Sequence, residues 1–151
     1  MDKAEELRYL FLAVQREGNR ALTDALSPLD LTPAQAEVLQ VLEQYGSLTL
    51  VELGERLVCE TGSPSRLVSS MVEKGLVQKT PSDLDRRASQ LTLTQRARDL
   101  MPALNEVEAR FNQGLHEFLD DPTMELATRM LWQLAESAAS GQALQRRKNG
   151  T

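Results

Sequence analysis

Small hydroxyl residues and positive charges occur together in the middle of the chain, where residues 62–75 read GSPSRLVSSMVEKG. Serine hydroxyls can approach phosphates and base edges closely, and an arginine can reach a phosphate or a guanine edge. These residue types therefore favour contact with a DNA duplex. The candidate contacts in this segment are Ser63, Ser65, Arg66, Ser69, Ser70 and Lys74. For Ser63 and Ser65 the alternative is helix capping alone, and the two roles are compatible.

A second charged cluster lies in residues 81–88, which read PSDLDRRA between two segments of strand-like sequence. Arg86 and Arg87 suit the minor groove, where the field of the two phosphate rows favours guanidinium groups. We interpret Asp83 and Asp85 as residues that shape this loop, since one of them can pair with an arginine and so present the other arginine. The alternative is an ordinary solvated loop.

The net charge of the chain, −5 at pH 7, argues at first against nucleic acid as a partner. Its distribution removes that objection. Residues 56–98 contain eight lysines and arginines against four acidic residues, a net charge of +4, so the remaining residues carry −9. One basic segment within an acidic protein is the pattern expected when a single face meets phosphate.

Helical periodicity and capping signals predict the elements that position these residues. Apolar residues at three- and four-residue steps predict a long amphipathic helix over residues 5–26, which completes its own core or packs on a partner chain. Capping boxes formed by Thr32 with Gln35 and by Thr49 with Glu52 open two further helices.

The basic helix and a hairpin follow. Ser63 and Pro64 predict a helix start and Gly75 its end, with an inward stripe of Leu67, Val68, Met71 and Val72. Residues 76–80 and 90–94 are predicted strands on either side of the charged loop.

Two more helices are predicted after the hairpin. The first covers residues 95–119, with a kink or a late start because of Pro102. The second opens at an Asp121 cap, and we expect residues 141–151 to form a frayed tail.

The order of these elements is that of a winged helix-turn-helix, and the chain resembles the MarR family of bacterial transcriptional regulators. The resemblance rests on residues 71–77 (MVEKGLV), 83–87 (DLDRR) and 91–94 (LTLT) at their mutual spacing. It implies a mainly α fold with a small β-hairpin, the wing, and long N- and C-terminal dimerisation helices. Residues 1–31 and 95–140 would then form the dimerisation region and residues 32–94 the DNA-binding domain. A homodimer would hold two winged domains about one DNA turn, roughly 34 Å, apart.

The resemblance also implies a site for a small aromatic effector, in a cleft between the dimerisation helices and the winged domain. Candidates for this cleft are Phe11, Met101, Phe111 and Trp132, and the alternative is that they are core or dimer contacts. Cys59 is either a small buried apolar residue in a turn or a redox-active thiol. One cysteine and His116, the only histidine, cannot form a Cys/His metal site, so we expect no metal and no cofactor.

The function predicted from these observations is sequence-specific transcriptional regulation. The protein would act as a repressor that binds a pseudo-palindromic operator as a homodimer and is released by a small effector or a modification. Two features support an alternative function, a winged-helix module that binds a protein or effector without DNA. They are the acidic charge of the rest of the chain and the presence of Ser69 and Ser70 at positions where many relatives carry charged residues. An enzyme is not expected, since the sequence contains no glycine-rich phosphate loop and no nucleophile elbow. We expect a cytoplasmic protein without a membrane partner, because no apolar run is long enough to span a bilayer.

Overall fold

The structure, a computed structural model that describes residues 1–59, 62–82 and 88–150, consists mainly of α-helices with one small antiparallel hairpin. In these residues the helices are α1 Lys3–Leu26, α2 Pro33–Tyr45, α3 Leu50–Gly54, α4 Pro64–Glu73, α5 Gln95–Phe118, α6 Asp121–Ala135 and α7 Ala139–Asn149. The strands are β1 Val77–Pro81 and β2 Ser89–Leu93, and a short 3-10 helix, Ser27–Leu29, follows α1. The predicted fold class, mainly α with a small β-hairpin, is confirmed. None of the described helices has the combined length and apolar character needed to cross a membrane.

Side-chain caps explain where α2 and α3 begin. The hydroxyl of Thr32 accepts the N–H of Gln35, whose side chain accepts the N–H of Thr32 in return. Thr49 and Glu52 form the same reciprocal pair at the start of α3. Both predicted capping boxes are present, because each needs only two residues that lie three positions apart on one turn.

The core is built around α2. Its residues Val38, Leu39, Val41 and Leu42 are all buried, and α2 contacts α1, α3, α4, α5 and β2. The same core takes in Val68 and Met71 from α4. Because α4 packs through these two residues, its opposite face is held outward.

The hairpin is joined to the turn between α2 and α3. β1 and β2 are antiparallel, with Val77 opposite Leu93. Leu48 adds an isolated bridge to Leu91, with N–H to carbonyl distances of 3.2 and 2.7 Å. Between α4 and β1 the chain turns at Gly75, whose φ of 71° is the left-handed conformation that glycine adopts easily.

The C-terminal segment differs from the expectation of a frayed tail, because residues 139–149 form α7. The amide of Gln44 and the hydroxyl of Tyr45 donate to the backbone carbonyls of Arg147 and Arg146, at 3.2 and 3.1 Å. The polar composition of the tail suggested solvation, but these contacts with α2 hold it in place.

Other boundaries also differ from prediction. The cap of α6 is Asp120 instead of Asp121, and its side chain accepts the N–H of Thr123 at 3.0 Å. α5 starts at Gln95 and runs through Pro102, so the helix does not start late. Val72 is partly exposed, since Val68 and Met71 already occupy the inner face of α4.

Candidate nucleic-acid interface

The outward face at the start of α4 collects four of the eight residues predicted to contact DNA. Ser63, Ser65, Arg66 and Ser69 are exposed, while Val68 and Met71 on the other face are buried. The face is small in side-chain volume and carries the positive charge of Arg66. A helix with such a face can approach another macromolecule closely.

The serines at the start of α4 bond differently from a simple cap. Ser63 occupies the cap position, but its hydroxyl lies 2.8 Å from the hydroxyl of Ser65 and makes no side-chain bond to the helix backbone. Ser70 is half-buried and its hydroxyl donates to the carbonyl of Leu67 at 2.8 Å. Ser63, Ser65 and Ser69 therefore remain the exposed hydroxyls of this face.

Lys74, another of the predicted DNA contacts, is bonded within the protein. Its ammonium donates to the carbonyl of Asp30 at 2.6 Å and to the side chain of Gln35 at 3.3 Å. The Asp30 carboxylate lies 3.3 Å away. These bonds join the end of α4 to the start of α2. A phosphate would have to compete with all three oxygens.

The tip of the wing lies outside the described residues, and with it the predicted contacts Arg86 and Arg87 and the predicted shaping residues Asp83 and Asp85. The strands on either side are paired up to Pro81 and Ser89. Lys79, exposed on β1, adds a positive charge to this part of the domain that the site prediction did not include.

Sequence reasoning missed Glu37, which holds the segment before α4. This residue is 4% exposed, and its two carboxylate oxygens accept the backbone N–H groups of Val58 and Cys59 at 2.8 and 2.7 Å. The guanidinium of Arg147 on α7 donates to the same carboxylate at 2.9 Å. The only signal in the sequence is a charged residue between the apolar Ala36 and Val38 of α2.

Cys59 is exposed, which differs from the expected buried position. The surrounding protein still raises the pKa of its thiol to about 11, first through desolvation and then through the nearby Glu37 carboxylate. Because the thiolate is the reactive form, a thiol with this pKa is poorly suited to oxidation at neutral pH.

The structure does not bring the four predicted cleft residues together. Met101 is buried in the core, and Phe11 is half-buried on α1. Phe111 lines a groove of about 720 Å³ along α5, whereas Trp132 lines a separate cavity of about 470 Å³ at α7. Among the described residues no cluster of three or more His, Cys, Asp or Glu side chains could hold a metal ion.

Comparison with known proteins identifies the family. Residues 29–88, from the end of α1 to the wing, match the profile of the MarR family. The chain is 31% identical over 110 residues to the multiple antibiotic resistance protein MarR of Salmonella typhimurium, covering 73% of this chain and 74% of that protein. The chain belongs to the MarR family. Its members are transcriptional regulators and not enzymes.

Two further relatives agree with this assignment. The transcriptional regulator SarZ of Staphylococcus epidermidis is 29% identical over 111 residues, covering 73% of this chain and 75% of SarZ. A crystal structure of a mutant MarR from E. coli in complex with operator DNA superimposes with a TM-score of 0.79 at 27% identity. It covers 89% of this chain and 99% of that one, so the similarity extends beyond the winged domain.

Substituting Glu37 tests the contacts that hold the segment before α4. Glu37→Ala removes the acceptor of two backbone N–H groups and of Arg147, so we expect it to lower the free energy of unfolding by about 3–5 kcal/mol. Urea denaturation measures this free energy of unfolding. Glu43→Ala, at an exposed position of the same helix, should change it by less than about 0.5 kcal/mol. Equal losses in the two variants would contradict the role of Glu37.

The raised pKa of Cys59 predicts slow alkylation. Below the unfolded-state pKa of about 9, the native protein should react with iodoacetamide between about tenfold and about a hundredfold more slowly than the urea-unfolded chain. The rate should rise as the pH approaches 11. The proton bound by the folded state contributes stability below pH 9 that is lost toward pH 11. Mass spectrometry reads out this single cysteine, and equal native and unfolded rates would exclude the shift.

Proposed function

We propose that this protein is a sequence-specific DNA-binding repressor that recognises a pseudo-palindromic operator as a homodimer. The observation that carries the proposal is the exposed face of α4, which presents Arg66 and three serine hydroxyls while its other face is fixed in the core. The related E. coli MarR has been crystallised with operator DNA, and its fold aligns with nearly the whole of this chain.

The geometry of α4 suits the major groove. In helix-turn-helix proteins the first residues of the recognition helix contact base edges. Here these first residues are Ser63, Ser65 and Arg66, none of which packs against the core. Arg66 can make a bidentate contact with a guanine, and the short serines let the backbone of α4 come close to the groove floor.

The homodimer is supported by apolar surface that the single chain leaves exposed. None of the residues of α6 is buried, and four of its large apolar side chains are exposed. The exposed large apolar residues of α1, α5 and α6 are Leu7, Tyr9, Leu10, Leu12, Val14, Leu115, Phe118, Leu126, Met130, Leu131 and Leu134. Surface of this extent is characteristic of a protein interface. A second copy of the same helices would cover it in a symmetric dimer.

Repression with release by an effector completes the proposal. A dimer that occupies its operator blocks transcription from an overlapping promoter. A ligand that changes the separation of the two α4 helices lowers operator affinity, since both must fit successive turns of one duplex. The alternative is a winged-helix module that does not bind DNA, and the duplex-binding experiment below distinguishes the two functions.

Arg66→Ala tests the DNA contact. With a labelled duplex from the promoter region of the protein's own gene, we expect it to weaken binding by about 1–3 kcal/mol per winged domain. The slope of log affinity against log salt concentration should fall by about one per domain if Arg66 contacts a phosphate. Fluorescence anisotropy measures both. Arg129→Ala, an exposed arginine on α6, serves as the matched control and should bind as the unaltered protein does.

The same two variants test repression in cells. A reporter behind that promoter should be silenced by the unaltered protein and by Arg129→Ala, and released by Arg66→Ala. Higher reporter expression with the unaltered protein would indicate activation instead. No binding to the duplex at low salt, with the variants equal, would favour the module without DNA.

Charged substitutions in the α5 groove test the dimer. Leu115 and Phe118, 55% and 84% exposed, line the groove beside α1. Because the interface would have to bury two carboxylates, Leu115→Glu with Phe118→Glu should weaken dimerisation by at least about a hundredfold. Sedimentation velocity measures the change. Val51→Glu, 70% exposed on α3, should leave the mass unchanged. A dimer in the double variant would place the interface elsewhere.

A further inference from the structure

The C-terminal helix α7 is bonded to the winged domain of its own chain. The side chains of the last two residues of α2 donate to backbone carbonyls of α7 at 3.2 and 3.1 Å. The guanidinium of Arg146 donates to the carbonyl of Glu55, just after α3, at 3.2 Å. The next residue, Arg147, donates to the buried carboxylate of Glu37 at 2.9 Å. These bonds hold α7 against α2 and against the residues that follow α3.

α7 is also packed closely against α6. Three residues, 136–138, separate the two helices, and the buried residues of α7 are Gly141 and Ala143. A Cβ atom at Gly141 would lie 1.9 Å from the carbonyl oxygen of Ala135, the last residue of α6. The absence of a side chain at this glycine therefore permits an approach of the two helices that even an alanine would prevent.

The contacts of α7 lie at the end of α2 that is far from its junction with α1. The chain enters α2 at Pro33, whereas α7 bonds to Gln44 and Tyr45. A helix of 13 residues is about 20 Å long. Rotation of the winged domain by about 10° around the α1–α2 junction would move the far end of α2 by about 3.5 Å, which breaks hydrogen bonds of about 3 Å. Contacts at this end therefore oppose such a rotation.

We propose that α7 is a strap that fixes the orientation of the winged domain relative to α6, and that it thereby makes operator binding selective for the spacing of the two half-sites. α6 carries the apolar surface of the proposed dimer interface, so each strap sets the position of one α4 helix relative to the other copy. Both α4 helices must fit successive turns of one duplex, roughly 34 Å apart. A fixed orientation favours one spacing. Selectivity for spacing rests on the proposed dimer and its DNA binding, whereas the strap itself does not.

Gly141→Ala tests the strap, because the added Cβ displaces α7 from α6. Alanine has the higher helix propensity, so a loss of order in α7 cannot come from the helix itself. The amides of α7 should exchange with deuterium at least about tenfold faster, since an isolated helix of this length is marginal in water. Ser140→Ala, at the exposed neighbouring position, should leave exchange unchanged.

Tyr45→Phe provides a milder second variant. It removes only the hydroxyl that donates to the carbonyl of Arg146, and it should raise exchange of the α7 amides by about two- to fivefold. Mass spectrometry of peptides from this helix measures the exchange in all variants. Unchanged exchange in Gly141→Ala would show that α7 is not held against α6, which would overturn the proposal.

Pulsed electron paramagnetic resonance between two spin labels on one chain measures the orientation of the winged domain. Cys59→Ser removes the native thiol, while Val51→Cys on α3 and Glu125→Cys on α6 place labels at exposed positions. Mixing with an excess of unlabelled protein restricts the measured distances to one chain.

The distance distribution should be narrow in the otherwise unaltered labelled protein and with Ser140→Ala. Gly141→Ala should broaden it by at least about 3 Å, the displacement expected from a small rotation at the far end of α2. An unchanged width, although the α7 amides have lost protection, would overturn the strap. This measurement requires neither DNA nor a dimer.

Duplexes with altered spacing test the consequence for the operator. Footprinting on the promoter duplex locates the operator centre, where one inserted base pair moves the half-sites by about 3.4 Å and rotates them by about 35°. The insertion should weaken binding of the unaltered protein and of Ser140→Ala by at least about tenfold, and of Gly141→Ala by less than about threefold. A duplex with a single half-site should bind all three proteins equally, because the strap does not contact DNA.

The outcomes of this experiment separate the strap from the proposed function. Equal losses in Gly141→Ala and the unaltered protein would overturn the role of α7 in operator spacing. If none of the proteins binds the duplex, the proposed function fails, whereas the distance measurement still decides whether α7 fixes the orientation of the winged domain.

Discussion

The buried carboxylate of Glu37 is the contact that joins α7 and residues 58–59, after α3, to the centre of the core. A carboxylate removed from water is costly unless donors replace the lost hydration, and here two backbone N–H groups and one guanidinium do so. Because the donors come from α7 and from the segment before α4, the carboxylate joins both to α2. α2 is the most deeply buried helix, so this segment and α7 take their positions from the centre of the core.

The opposite end of α4 is fixed in a comparable way. Lys74 donates to oxygens of Asp30 and Gln35, and Arg96 donates to the carbonyl of Lys74 at 2.9 Å. One positive charge of the basic segment is thereby bonded to oxygens of the protein that lie beside the start of α2. Arg66 keeps its exposed position because the neighbouring Leu67 and Val68 face the core. Support at the C-terminal end of α4 and a core-facing side formed by Val68 and Met71 keep its short polar face in a fixed orientation.

Features set by neighbouring residues could be predicted from the sequence, and features set by distant residues could not. The caps at Thr32 and Thr49 involve partners three positions away, and the turn at Gly75 depends on one residue. The Glu37–Arg147 pair joins residues 110 positions apart, and no local pattern indicates it. The prediction of a frayed C-terminal tail was wrong for the same reason, because the residues that hold α7, Gln44 and Tyr45, are distant from it in the sequence.

The same distinction between local and distant contacts applies to the candidate site. The polar face of α4 follows from helical spacing alone, since Val68 and Met71 had to face inward. Lys74 looked like its neighbours in the sequence, and only the approach of Asp30 distinguishes it. The four aromatic and methionine residues assigned to one cleft are similar in chemical type, but they are spread over three helices, α1, α5 and α6. Composition cannot tell which of those helices face each other.

α6 presents an apolar stripe on one side and lines the cavity of about 470 Å³ on another. Leu126, Met130 and Leu134 follow one another at four-residue spacing and form an apolar stripe, while Trp132 and Glu136 lie on another side of the helix, toward the cavity. No residue of α6 is buried within the single chain, so its position depends on what packs against it. A second copy packed on the apolar stripe would therefore fix the position of α6 and, with it, the wall of the cavity beside Trp132.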